Sequence, residues 1–122
     1  GVHLIGEHAL ASDLTDAGPG DVGVVFDFQR YRRATVLSAE TLASLGATIL
    51  AITDGPLSPL ASITKHWCQL SIPAVGPFDS SVPAVAAAEL LVSQVTRDLK
   101  ESARERIDHI ESLWDATSTF YP

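Results

Sequence analysis

Two uninterrupted apolar runs constrain the fold of this chain more than any other feature. Residues 22–26 form the first run, and residues 47–53, with large aliphatic side chains at their centre, form the second. Neither run alternates polar with apolar residues, which is typical of parallel strands covered on both faces. Between them, residues 31–45 carry apolar side chains at helical spacing, and Gly46 ends this pattern. The sequence therefore predicts an α/β fold, a three-layer sandwich with a parallel sheet between helices.

Shorter patterns predict the remaining elements. We expect strands over residues 2–5 and 67–72, a weak helix over residues 9–17 and a helical turn over residues 60–64. Residues 82–95 are apolar almost all round, which favours a helix buried on more than one side. An amphipathic helical stripe follows, formed by Leu99, Ala103, Ile107, Ile110 and Trp114.

Glycine, proline and short polar residues mark the connections. Residues 18–21, Gly-Pro-Gly-Asp, predict a turn, and the two prolines within residues 54–59 predict a loop. Residues 73–78 are expected to be irregular. Residues 79–81, Asp-Ser-Ser, offer side-chain oxygens that cap the start of the long helix.

Composition limits the classes of function. The 122 residues are 46% hydrophobic and 19% charged, which suits one globular domain. The formal net charge of -7, from 8 basic and 15 acidic side chains, repels a nucleic-acid backbone, so this part of the protein is not expected to touch DNA. No apolar stretch approaches the roughly 20 residues that cross a bilayer, and no signal segment opens the chain. These observations predict a cytoplasmic domain with no membrane partner.

Few residue types suited to metal or covalent chemistry occur. The single cysteine, Cys68, is interpreted as a small buried hydrophobe. The four histidines have no metal-ligand spacing, so we predict no metal and no cofactor. Glu89 interrupts the apolar helix, and the sequence leaves open whether it lines a cleft or lies at an edge.

Several segments between residues 19 and 114 carry a resemblance to a known family. They include Gly-Asp-Val at the start of the first long strand and Phe-Asp-Phe-Gln-Arg-Tyr at its end. The others lie at residues 51–54, 56–61, 77–80, 104–107 and 110–114. Together and in this order, these segments resemble the sugar isomerase (SIS) domain of RpiR-type bacterial transcription regulators.

The resemblance implies a flavodoxin-like SIS fold with strand order 2-1-3-4-5. Residues 2–5 would then be the second strand of the family. The first strand and the N-terminal helix-turn-helix domain have no counterpart here, so residues 1–122 are expected to form a partial SIS domain of a longer parent protein.

Family members that bind sugar phosphates carry the motif S-x-S-G-x-T-x-E after the strand equivalent to residues 22–26. In this chain Asp27, Gln29, Arg30, Arg32 and Ala34 replace the serines, glycine, threonine and glutamate. Three hypotheses follow: the arginines bind an anion, the loop binds an unphosphorylated metabolite, or no ligand binds. Ligand binding is favoured because Asp27 ends a strand at the edge where open α/β sheets place their ligands.

Further candidates lie on the same rim of the sheet. Thr53 and Asp54 end the second strand, and Ser80 precedes the long helix. We expect the rim holding Asp27 and Thr53 to cap neighbouring parallel strands and to face water. The alternative is structural, with Asp54 stabilising its turn and Ser80 capping the helix. The predicted ligand-binding residues are Asp27, Gln29, Arg30, Arg32, Thr53, Asp54 and Ser80.

The resemblance implies a ligand-sensing and dimerisation domain that binds a sugar phosphate or a related carbohydrate derivative. It implies no enzymatic activity, a homodimer, and contact with DNA only through the absent N-terminal domain. Two alternatives remain: a ligand-free dimerisation scaffold, and a sugar-phosphate isomerase, which would need a proton-transferring base and a phosphate cradle.

Overall fold

A computed structural model of the protein describes residues 11–75 and 78–121, so the strand predicted at residues 2–5 lies outside the described part. The chain divides into two compact units, residues 1–84 and residues 85–122. The elements are α1 (Ala11–Leu14), β1 (Val22–Phe26), α2 (Arg33–Ser44), β2 (Thr48–Thr53), α3 (Pro59–Ile63), β3 (Trp67–Gln69), β4 (Ala74–Val75), β5 (Phe78–Asp79), α4 (Val82–Leu99) and α5 (Glu101–Thr117).

A parallel sheet forms the centre of the first unit, and this confirms the predicted α/β class. Its order is β1-β2-β3, with Val25 beside Ala51 and Ala51 beside Trp67. The third strand ends three residues earlier than predicted. Residues 73–78, expected to be irregular, include β4 and the start of β5, a short antiparallel pair that joins Ala74 to Asp79 and Val75 to Phe78.

The core lies between this sheet and two helices. Ala39 of α2, Ala51 of β2 and Leu60 of α3 are fully buried and pack together. Two of the three are alanines, so the backbones of α2 and β2 can approach closely. The partly buried side chains around them are Val25, Val36, Ile63 and Trp67.

Two predicted connections are confirmed: the glycine that ends α2 and the turn that precedes β1. Gly46 has φ 94° and follows the last turn of α2. Its amide donates to the carbonyl of Ala43 and the amide of Ala47 donates to that of Leu42, the two bonds of a Schellman motif. In the turn before β1, the amide of Asp21 donates to the carbonyl of Gly18, while Gly20 has φ 93°.

The two long helices carry exposed apolar side chains. No residue of α4 is buried, so the expectation that this helix is covered on more than one side is wrong for the described residues. The amphipathic stripe is split between the two helices because Lys100 has φ 48°, a conformation outside the helical region. Near the end of α5, the rings of Trp114 and Phe120 meet edge to face, with centroids 5.3 Å apart.

None of the helices in the described ranges is long and apolar enough to cross a membrane.

Candidate ligand-binding cleft

A cleft of about 730 Å³ opens at the carboxyl ends of the three parallel strands. Loops that follow β1, β2 and β3 meet there, which is where open α/β sheets place small-molecule sites. Its volume is within the range of ligand pockets. The residues that line it are Phe28, Gln29, Arg30, Asp54, Gln69, Ser71, Ile72 and Asp79.

A smaller depression of about 260 Å³ lies near the amino-terminal ends of β2 and β3. It is bordered by Thr48, Lys65 and His66 together with apolar residues of α2 and α3. It is shallower and lies at the edge opposite the carboxyl ends, so the larger cleft is the candidate site.

Asp27, at the end of β1, organises the loop that borders the cleft. Its side chain is only 7% exposed. One carboxylate oxygen, Oδ2, accepts the amide of Arg32 at 2.9 Å, and Oδ1 accepts the amide of Phe28 at 3.2 Å. Its own amide donates to the carbonyl of Ile52 in β2. Asp27 therefore ties the loop to the sheet and to the start of α2.

Burial raises the pKa of Asp27 above the ordinary value of 3.8. The two backbone N–H groups lower this pKa, but the cost of desolvating the charge is larger. The neighbouring negative charge of Asp54 raises the pKa further.

Asp54 fastens the same loop from the next strand. Its Oδ2 accepts the amide of Gln29 at 2.8 Å, and its Oδ1 accepts the phenol hydroxyl of Tyr31. The hydroxyl of Thr53 donates to the same Oδ1 at 3.5 Å. The hydrogen bond to Asp54 raises the pKa of the Tyr31 phenol above 10.0, because the carboxylate stabilises the protonated hydroxyl. Two carboxylates thus hold residues 27–32.

The expectation that Asp27 and Thr53 face water is wrong. Thr53 is completely buried, and Asp27 nearly so. Their strands are parallel neighbours, as predicted, but the side chains bond within the protein: Asp27 to amides of the loop, and Thr53 to Asp54. The cleft is lined instead by residues that follow β1 and β2 and by residues at and after the end of β3.

Arg30 has φ 63°, a left-handed conformation that is uncommon for residues other than glycine. In the phosphate-binding motif of the resemblance, glycine stands at this position. Arg30 therefore adopts a conformation that glycine would adopt without strain, at a cost of roughly 1–2 kcal/mol.

The remaining predicted site residues lie outside the lining of the cleft. Arg32 is exposed at the N-cap of α2, where its amide reaches Asp27. The hydroxyl of Ser80 accepts the amide of Val82 at 3.3 Å, so it caps the start of α4, which agrees with the structural interpretation. Of the seven predicted residues, the structure brings Gln29, Arg30 and Asp54 to the cleft surface.

Five lining residues were not predicted, and three of them, Gln69, Ser71 and Ile72, follow or end β3. The rule that placed ligands at strand carboxyl ends also applies to this third strand. The sequence predicts that this strand continues to Ile72, whereas the structure ends it at Gln69, so these residues lie at the cleft. The other two are Phe28 and Asp79.

Two further expectations concern single residues. Cys68 is exposed, so its interpretation as a buried hydrophobe is wrong; β3 pairs with β2 alone among the described strands, which leaves it at an edge. Glu89 is exposed on α4. Within residues 11–75 and 78–121, no group of three or more His, Cys, Asp or Glu side chains could hold a metal ion.

A parallel α/β domain with a polar cleft at the carboxyl edge of its sheet defines a class of small-molecule-binding folds. The family model described as "SIS domain" matches residues 2–94, so the chain belongs to the SIS domain family.

A solved structure is similar to this chain: the sugar isomerase domain of an RpiR transcription factor from Sphaerobacter thermophilus. The two share 27% sequence identity with a TM-score of 0.72, over 81% of this chain and 55% of the other. This chain therefore spans about half the length of that structure. The resemblance to the SIS domain of an RpiR-type regulator is confirmed. Among curated proteins, none matches.

Proposed function

We propose that this chain is a ligand-sensing SIS domain of an RpiR-type bacterial transcription regulator, and that it binds a carbohydrate derivative in the cleft at the carboxyl edge of the sheet. The observation that carries the proposal is the convergence of loops from three strands on one polar cleft, in a chain similar to the sugar isomerase domain of a transcription factor.

The lining of the cleft suits a polyhydroxylated ligand. Three side chains of the lining can each donate and accept hydrogen bonds, as sugar hydroxyls require: the carboxamides of Gln29 and Gln69 and the hydroxyl of Ser71. Phe28 and Ile72 supply apolar surface for the C–H face of a sugar ring. Ligand binding at this rim would change the geometry of the assembled parent regulator.

We propose a sensing role rather than catalysis. The two carboxylates nearest the loop, Asp27 and Asp54, accept backbone amides of that loop. A carboxylate that holds its own loop in place is poorly suited to accept a proton from a substrate. A regulatory domain in the cytoplasm, acting on DNA through another part of the parent protein, is consistent with the net charge of -7.

Calorimetric titration tests carbohydrate binding directly. The panel consists of glucose, fructose, N-acetylglucosamine, and the 6-phosphate of each, with the full chain in the cell. At least one is expected to bind, and Gln69→Ala is expected to weaken that binding about tenfold because it removes a hydrogen-bonding side chain from the cleft.

The matched control for this titration is Gln94→Ala. Gln94 lies on α4, where its side chain donates to Asp98, and it is not among the residues that line the cleft. Equal losses in the two variants, or no heat with any of the six compounds, would count against the proposal.

A dimerisation role has its own support. One face of α4 carries the exposed side chains of Val85, Val92, Val95 and Leu99, and α5 adds Ile107 and Trp114. Exposed apolar stripes of this length are typical of helix faces that pack against a partner, and we propose a second copy of the chain as that partner.

Sedimentation equilibrium measures this association. The wild-type chain is expected to form dimers, and Val92→Glu is expected to weaken them about tenfold or more because it places a charge on the apolar stripe. Leu57→Glu changes an exposed leucine of the first unit and is the control. A wild-type monomer at high concentration would exclude the dimer.

A further inference from the structure

The loop that follows β1 has the backbone geometry of an anion site, but protein carboxylates already occupy its donors. The amides of Phe28 and Arg32 donate to Asp27, and the amide of Gln29 donates to Asp54. These amides lie at the carboxyl end of a parallel strand and just before a helix N-terminus, where backbone N–H groups bind phosphate in other α/β proteins.

An incoming phosphate would meet two obstacles there. It would have to displace a carboxylate from each amide that it used, so no net hydrogen bond would be gained. It would also approach the negative charges of Asp27 and Asp54, both held in place by the loop itself.

The charged side chains that line the cleft also oppose an incoming phosphate. Arg30 contributes one positive charge, whereas Asp54 and Asp79 contribute two negative charges. The lining is therefore net negative, and the buried Asp27 directly precedes three of its residues, Phe28, Gln29 and Arg30.

We propose that the carboxylates of Asp27 and Asp54 take the place that a phosphate would occupy at the loop amides. The loop therefore excludes a phosphate, and the cleft binds carbohydrate through unphosphorylated hydroxyl or amino groups. The proposal rests on the carbohydrate-binding function proposed above and specifies its ligand class. Neutral or amino sugars gain from the remaining lone pairs of Asp54 and from Asp79, because carboxylates accept hydrogen bonds from hydroxyl and ammonium groups.

Titration of the ¹⁵N-labelled chain with inorganic phosphate tests the exclusion without knowledge of the natural ligand. The readout is the set of backbone amide signals of Phe28, Gln29 and Arg32. In the wild type we expect no saturable shift at millimolar phosphate. In Asp54→Ala, which releases the amide of Gln29 and removes one negative charge, we expect phosphate binding at least about tenfold tighter than in the wild type.

Two further variants separate the causes. Asp54→Asn preserves the shape of the side chain, so it reports on the charge if Asp54→Ala does not fold. Asp79→Asn removes a carboxylate from the same cleft that makes no described hydrogen bond to residues 27–32. Charge removal at Asp79 is expected to tighten phosphate binding at the loop amides far less than Asp54→Ala does, because it frees none of these amides.

Each outcome of the phosphate titration either supports or overturns the proposed exclusion of phosphate. Saturable binding of phosphate to wild-type loop amides overturns the proposal, and so does equal binding by the Asp54 and Asp79 variants or binding by neither. Such results would leave carbohydrate binding itself intact, since the calorimetric panel measures it separately. In that panel, a 6-phosphate that binds about tenfold more tightly than its parent sugar also overturns this proposal alone.

Discussion

Replacing Asp27 with alanine is expected to lower the free energy of unfolding by about 2–3 kcal/mol. The substitution leaves the amides of Phe28 and Arg32 without their acceptor in two partly buried hydrogen bonds. Each buried donor left without a partner costs roughly 1–3 kcal/mol, partly offset here because a desolvated charge is removed. Urea unfolding followed by circular dichroism measures the difference.

The control for this substitution is Asp16→Ala, which removes an exposed carboxylate at the end of the first helical segment. We expect a change of no more than about 0.5 kcal/mol. A similar, small effect for both variants would mean that Asp27 does not organise the loop.

The raised pKa of Asp27 predicts the pH dependence of the same comparison. Its folded-state pKa lies above the ordinary 3.8, so folding favours the protonated form. Asp27 therefore contributes stability that is fully present below pH 3.8 and is lost as the pH rises through the raised pKa. The advantage of wild type over Asp27→Asn, in which residue 27 cannot titrate, should be largest in acid and should shrink toward neutral pH. An advantage that grows with pH would contradict the raised pKa.

Much of the fold could be predicted because hydrophobic periodicity reports directly on burial. The runs at residues 22–26 and 47–53 became adjacent parallel strands, and Gly46 ended α2 as its position indicated. The ends of the elements were harder to predict. Nothing in the alternation of residues 67–72 distinguishes a paired strand from an extended segment, and the structure pairs only Trp67–Gln69.

The environment of α4 could not be inferred from its composition. An apolar helix indicates burial, but the sequence does not say whether the covering surface belongs to the same chain. The exposed Leu90 and Val92 show that, within the described residues, this chain does not bury them. Propensity and pattern identified the helix correctly, whereas its partner depends on tertiary and quaternary contacts.

At the site, residue type and location could be predicted, but not the direction in which each side chain points. The position of Asp27 and Asp54 directly after strands predicts both as site residues, and both hold the loop. The sequence could not show that their oxygens turn toward backbone amides 28, 29 and 32. That choice depends on the conformation of the loop, including the left-handed Arg30, which no periodicity encodes.

Leu60→Ala is expected to have the largest effect on stability, a loss of about 3 kcal/mol. Leu60 is fully buried against Ala39 and Ala51, so the truncation removes its packing and leaves a cavity between α2, α3 and the sheet. Because the amide of Leu60 also donates to the hydroxyl of Ser58, it anchors the start of α3 just beyond the loop that carries Asp54.

The matched control for Leu60→Ala is Leu57→Ala, three residues earlier. Leu57 is 94% exposed, so the same chemical change there should alter the free energy of unfolding by no more than about 0.5 kcal/mol. Urea unfolding measures both variants under identical conditions. If α3 secures the Asp54 loop as its packing indicates, Leu60→Ala should also speed hydrogen exchange at the amide of Gln29, whereas Leu57→Ala should not. A loss below about 1 kcal/mol for Leu60→Ala would mean that α3 is not packed on the sheet as described.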